Sequence, residues 1–172
     1  MNEPIIDRYD YLKVTVDEEF CSQYMDGYKS FGWKPDENMQ PGKKAEKVTL
    51  YMKRSQNILN KVELTRLQQH YESCMKEIVE LEQSKDSIPT IVSLCCGLLG
   101  CLLVTGAVFA STAEPPAVLS MALAGGIGIL LWIAAYFSQN IVRRKRTEKV
   151  SPLIEAKYDE AYKVCDKAFR LL

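Results

Sequence analysis

Between Asp86 and Arg143 a single charged residue, Glu114, separates two long uncharged stretches. Each far exceeds the roughly 18 apolar residues that flag a bilayer span. An uncharged helix that is apolar all round needs either lipid or a large protein interior about it. The soluble alternative, two buried core helices, would require an amphipathic partner large enough to cover them, and the remainder of the 172 residues offers none. The expectation is therefore an integral membrane protein with spans at 88–110 and 117–137, the second segment closing at 139. Both are near the roughly 20 residues that cross about 30 Å of hydrocarbon. Residues 111–116 alone join them, so the spans should be antiparallel neighbours, with Pro115 and Pro116 stopping one helix before the next begins.

Orientation follows from the basic residues. Arg143, Arg144, Lys145, Arg146 and Lys149 follow the second span, Lys76 and Lys85 precede the first, and the link has none. By the positive-inside rule both soluble ends are assigned to the cytoplasmic face of the cell membrane. The same run should attract anionic lipid headgroups, at about 1 kcal/mol per basic residue near the surface. Trp132 and Tyr136 are expected at headgroup level near the inner end of the second span. Residues 1–10 are polar and lack the pattern of a secretory signal, so the first span would serve as its own insertion signal.

Small residues recur at helical spacing in the spans: Gly97 with Cys101, Gly106 with Ala110, Ala122 with Gly126, and Ala124 with Gly128. They are expected to close the hairpin or, in part, to serve self-association. No Asp, Glu, Lys, Arg or His lies in either span, where Ser93, Thr105 and Ser120 are the main polar groups. A proton relay or charged-substrate site has no residues to build on there. Gly125-Gly126-x-Gly128 lies within a span rather than at a strand-to-helix turn, so it is not read as a phosphate cradle.

The N-terminal residues follow other periods. Leu12, Val14 and Val16 alternate with Tyr9, Tyr11, Lys13 and Thr15, a strand pattern. Asp17 offers an N-cap, Phe20, Tyr24 and Tyr28 recur every four residues, and Gly32 supplies a stop. An extended segment restarts at Trp33, Pro35, Pro41 and Gly42 punctuate the stretch that follows, and Val48, Leu50 and Met52 again alternate with polar neighbours. The pattern predicts a small β-α-β-β module at 1–54, with its helix on one face of an antiparallel sheet.

Tyr9-Asp10-Tyr11-Leu12-Lys13-Val14, Gly32-Trp33 and the closing Lys53-Arg54 resemble small bacterial modules with a Tyr-rich first strand. Together with Leu64-Thr65-Arg66-Leu67-Gln68 and the segment from Pro152 to Glu160, the chain is similar over nearly its full length to uncharacterised bacterial two-span membrane proteins. That resemblance implies an N-terminal β-α-β-β module and cytoplasmic coiled-coil helices, and brings no catalytic residue with it.

After Arg54 the period lengthens. Leu64, Leu67, Tyr71, Cys74, Ile78 and Leu81 form a heptad seam in a cytoplasmic helix within 55–87. Ile154, Tyr158, Ala161, Cys165, Ala168 and Leu172 repeat the device within 140–172. The two segments are expected to pair as an antiparallel coiled-coil stalk. Pro89 and the Ser151-Pro152 pair, an N-cap followed by an N1 proline, mark joints where helices restart or bend. Tyr162, Val164, Phe169 and Leu171 widen the C-terminal apolar face and should dock on the N-terminal module or on another subunit.

The six cysteines show no CxxC pair, so neither a disulfide framework nor a metal site is expected, and no cofactor. Cys95, Cys96 and Cys101 read as small packing residues in the first span, with lipidation of the nearer two an open alternative. His70 is the only histidine and reads as solvated helix surface. Lys+Arg and Asp+Glu balance at 22 each, which gives no footprint for nucleic acid. The fold class expected is a mainly α membrane protein: a two-helix transmembrane hairpin, a coiled-coil stalk and a small α+β module. The function expected is a non-enzymatic membrane-anchored interaction or scaffold protein that binds a protein partner or itself. Alternatives are an oligomeric pore or transport accessory and, third, a lipid-acting enzyme, for which no nucleophile or metal is evident.

Overall fold

The computed structural model describes residues 8–111 and 118–172. The expected link at 111–116 lies outside the described residues except for Ser111. In chain order the elements are β1 (Tyr9–Asp17), a short 3₁₀ turn (Glu18–Phe20), α1 (Cys21–Lys29), β2 (Lys34–Pro35), β3 (Gly42–Lys44), β4 (Lys47–Ser55), α2 (Lys61–Ser111) and α3 (Val118–Phe169). They form two compact units, one of Met1–Ile78 with Glu155–Leu172, the other Val79–Ile154.

In the first unit β1 and β4 pair antiparallel along their whole length, from Tyr9 opposite Ser55 to Asp17 opposite Lys47. The extended stretch between α1 and β4 contributes two short strands, β2 and β3, both paired with β4. The alternation read from the sequence sets the faces: Val16, Leu50 and Met52 are buried and Leu12 and Val14 half-buried, while Tyr11, Lys13 and Thr15 are exposed.

Asp17 has the extended backbone of an N-cap, φ −68° and ψ 142°, but its side chain makes no cap hydrogen bond. It closes β1 directly opposite Lys47, whose ammonium lies 3.9 Å from its carboxylate. Gly32 is a helix stop as expected. It adopts φ +81°, its N–H donates to Lys29 O (3.0 Å) and that of Trp33 to Tyr28 O (3.2 Å), the paired bonds of a Schellman ending. The turn delivers Phe31 and Trp33 into the core beside Phe20 and Tyr28. Residues 61–78 of α2 and 155–169 of α3 complete that core with Leu64, Met75, Ile78, Val164 and Ala168.

In the second unit, residues 79–111 of α2 run antiparallel to 118–154 of α3. Gly100 lies by Gly128 and Ala107 by Gly125, while Asp86 meets Arg143. Both parent helices are long and apolar enough to cross a membrane. Pro89 and Pro152 lie inside them, so neither helix restarts there and Ser151 is a helical residue rather than an N-cap. Each proline forgoes one bond, to the carbonyl four residues before it, and the rest of the ladder carries the helix through.

Candidate functional site

The first unit is built around aromatic rings that share a few polar groups. Tyr71 of α2 lies across α1 at Gly27, where an added Cβ would strike its ring, and its hydroxyl donates to Gln23 O (2.9 Å). Tyr24, Tyr28 and Phe31 surround it, with ring centroids 6.3, 6.1 and 5.6 Å away. Beneath them runs a hydrogen-bond chain. Trp33 Nε1 donates to Gln68 Oε1 (2.8 Å), Gln68 Nε2 to Glu72 Oε1 (2.8 Å), and Tyr28 Oη to the same carboxylate oxygen (2.9 Å). Burial foremost, with the Glu72 charge adding at Tyr28, pushes both the Tyr28 and Tyr71 phenols far above their ordinary value. Arg54 covers this chain from the strand side, its guanidinium 4.4 Å from the Trp33 ring centre and 3.7 Å from the Asp10 carboxylate.

Of the seam residues in the first unit, Leu64, Tyr71, Cys74, Ile78, Ala161 and Ala168 are buried and Leu67, Tyr158 and Cys165 half-buried. Leu172 lies beyond the end of α3 and is 52 % exposed. Its Cδ2 nevertheless stands 3.1 Å from where a Cβ on Gly32 would be, so the C-terminus meets the N-terminal module through this residue. Of the residues expected to widen the face, Val164 is buried and Leu171 half-buried, whereas Tyr162 and Phe169 stay largely exposed. Sequence reasoning left out Gln68, Met75 and Val150, all buried. Met75 directly follows a seam position, the one signal that could have found it. Leu81 and Ile154 belong to the second unit, where Ile154 is buried and Leu81 half-buried.

A polar cluster sits on the rim of the first unit's helix pair. His70 Nε2 and Glu160 Oε1 are 2.9 Å apart, Glu160 Oε2 accepts from Lys157 Nζ (3.0 Å), and the same ammonium reaches Glu77 Oε2 at 2.9 Å. Cys74 lies one turn along α2 from His70. The Lys157 hydrogen bond first, and that of His70 second, hold the Glu160 carboxyl below the usual range. Burial pushes the Cys74 thiol up.

No family model, curated protein or solved structure matches this chain. Residue geometry alone therefore carries the functional reading.

In the second unit the two helices approach closely at Gly100 and Gly128. A Cβ on Gly128 would lie 3.0 Å from Gly100 O, and one on Gly100 would lie 2.5 Å from Trp132 Cδ1. Of the small residues singled out by spacing, Gly128 lies in this contact, and Ala110 and Ala124 are half-buried. Cys101 and Ala122 are exposed, and an added Cβ at Gly97, Gly106 or Gly126 would meet nothing within 4 Å. Gly100 was missed because the small-xxx-small pattern selects pairs on one helix, whereas the close approach needs one glycine on each. Trp132 fills the Gly100 notch and its indole N–H donates to Gly97 O (3.2 Å), a partner within the unit.

The basic run is partly engaged within this unit. Arg143 pairs with Asp86 (2.7 Å), Arg144 with Glu148 (3.3 Å), and Arg146 donates to Ser84 Oγ (3.3 Å), while Lys145 and Lys149 are exposed. Cys95 and Cys101 are exposed and Cys96 half-buried.

Proposed function

We propose that this protein is a membrane-anchored interaction module. The apolar stretches 88–110 and 117–139 of the Val79–Ile154 unit span the cell membrane as a helical hairpin, and the α+β unit with its helix pair stands at the cytoplasmic face, where it binds a protein partner or a second copy. The observation that carries the reading is the inverted distribution of apolar side chains in the second unit. Leu94, Leu102, Phe109, Leu119, Leu130 and Phe137 are each more than half exposed, and water is a poor solvent for such a surface. Lipid is a good one. The basic residues 143–149 supply the orientation, and the exposed Tyr11, Tyr162 and Phe169 supply apolar surface for a partner on the soluble unit.

Two experiments test this reading together. Impermeant protease added to intact cells should leave tags at both termini uncut, and cutting of either would overturn the orientation. Photo-crosslinkers at Tyr11 and Tyr162 in native membranes should capture a second copy or a defined partner. A chain that stays uncrosslinked at every exposed position contradicts the interaction role. The pore alternative draws on Gly97, Gly106 and Gly126, whose Cβ directions open away from the hairpin. Solute flux through liposomes of the purified protein would favour it, and an oligomer without flux would remove it.

A further inference from the structure

His70, Cys74 and Glu160 bring one nitrogen, one sulfur and one oxygen ligand atom within 4.8 Å of one another. His70 and Cys74 are four residues apart on α2, one turn above the other on the same face. Glu160 reaches them from α3, 90 positions along the chain from His70. This separation hid the cluster from motif spacing, which finds metal sites through ligands close in sequence.

We propose that His70 Nε2, Cys74 Sγ and Glu160 Oε1 form a binding site for a borderline-soft divalent cation of the zinc class.

The donor set suits such an ion, since imidazole, thiolate and carboxylate are the ligands zinc draws from proteins. The geometry is near to what is needed. Ligands about 2.0–2.3 Å from a tetrahedral ion stand roughly 3.3–3.8 Å apart, so the 2.9 Å His70–Glu160 pair opens by a few tenths of an ångström and Cys74 closes on it. Outer-sphere support is in place: Lys157 holds Glu160 by Oε2, which turns Oε1 toward His70, and Glu77 holds Lys157 in turn. Two carboxylates share that one ammonium, so the cluster keeps a net negative charge. On binding, the Cys74 S–H bond breaks, its proton leaves to solvent and the sulfur lone pair forms the bond to the ion. His70 Nε2, whose N–H donates to Glu160 Oε1 before binding, gives that proton to solvent while Nδ1 carries one, so that Nε2 and Glu160 Oε1 both donate lone pairs and the charges of the divalent ion, the thiolate and the carboxylate sum to zero. Three protein ligands leave a fourth position, which opens on the solvent side because His70 is 51 % exposed.

Co²⁺ titration of the full-length protein in detergent micelles, under a non-thiol reductant, tests the site directly. The expected result is a thiolate-to-cobalt charge-transfer band that saturates at one ion per chain and is erased by Zn²⁺. Cys74→Ala should abolish the band. His70→Gln and Glu160→Gln, at half-exposed positions that leave the core untouched, should each weaken Co²⁺ binding by at least about tenfold while the far-UV circular dichroism stays unchanged. The proposal is overturned by a folded wild type that gives no band at millimolar Co²⁺, by a band that survives Cys74→Ala, or by binding indifferent to both glutamine variants. If Cys74→Ala does not fold, the two glutamine variants decide.

Discussion

The two units bury opposite kinds of residue. In the first, Tyr28, Phe31, Leu64, Met75 and Ile78 are all at most 1 % exposed, and the charged groups buried with them, Arg54 and Asp36, are paired with Asp10 and Lys53. Among the described residues in the apolar part of the second, the buried positions are Pro89 and the small Gly100, Ala107, Gly128 and Ala135, while most leucines, isoleucines and phenylalanines face outward. The hydrophobic effect explains the first arrangement in water. The second has the form expected where lipid solvates large side chains and helix contact rests on backbone proximity between small ones. Burial therefore has a different worth in each unit, and matched substitutions can expose the difference.

The largest effect should come from truncating the water-driven core. Leu64→Ala should lower the unfolding free energy of the first unit by about 2–5 kcal/mol in chemical denaturation. Leu102→Ala, at a position 69 % exposed in the second unit, should change stability by no more than about 0.5 kcal/mol. Equal losses at the two sites would break the comparison. The reverse asymmetry holds for charge. Leu99→Arg, near the middle of the apolar stretch 88–110, should oppose the proposed insertion by about 2.5–3.5 kcal/mol and deplete the membrane fraction. Val62→Arg, at an 86 % exposed position of the first unit, should leave fractionation and stability within about 0.5 kcal/mol of the wild type.

Glycine substitutions sharpen the contrast further. Gly27→Ala forces the Tyr71 ring aside and should cost about 1–3 kcal/mol. Gly106→Ala, where nothing lies within 4 Å, should be neutral or stabilising by up to about 1 kcal/mol in a helix interior. The smallest effect concerns pH. Burial raises the Tyr28 and Tyr71 phenols above the ordinary 10.0, so the folded state keeps protons that the unfolded state releases. Their contribution is complete below about pH 10 and is lost as pH rises beyond it. Tyrosinate absorbance should accordingly appear together with loss of the first unit's ellipticity, and Tyr71→Phe should reduce that alkaline sensitivity.

Much of this architecture is legible in the residues because it is periodic. The two-residue alternation of β1 and β4 identified the buried faces, Gly32 the end of α1, and the run from Leu64 to Ile78 a buried helical stripe. Non-periodic features were not legible. The ring of Tyr71 on Gly27, the Trp33–Gln68–Glu72–Tyr28 chain and the meeting of Glu160 with His70 each depend on how separate elements pack. Local rules for proline failed at Pro152 for a related reason. Ser151-Pro152 has the form of a helix start, but α3 was already under way, and one missing hydrogen bond does not outweigh a helix packed on both sides of it.

Lipid as the solvent of the Val79–Ile154 unit is tested most directly by fluorescence quenching from brominated acyl chains. The chain has two tryptophans, so Trp33→Phe leaves Trp132 as the only indole reporter. Reconstituted into brominated-lipid vesicles, this variant should lose most of its Trp132 emission. Emission unchanged from that in ordinary lipid, with the protein soluble in the absence of detergent, would contradict a membrane-embedded hairpin.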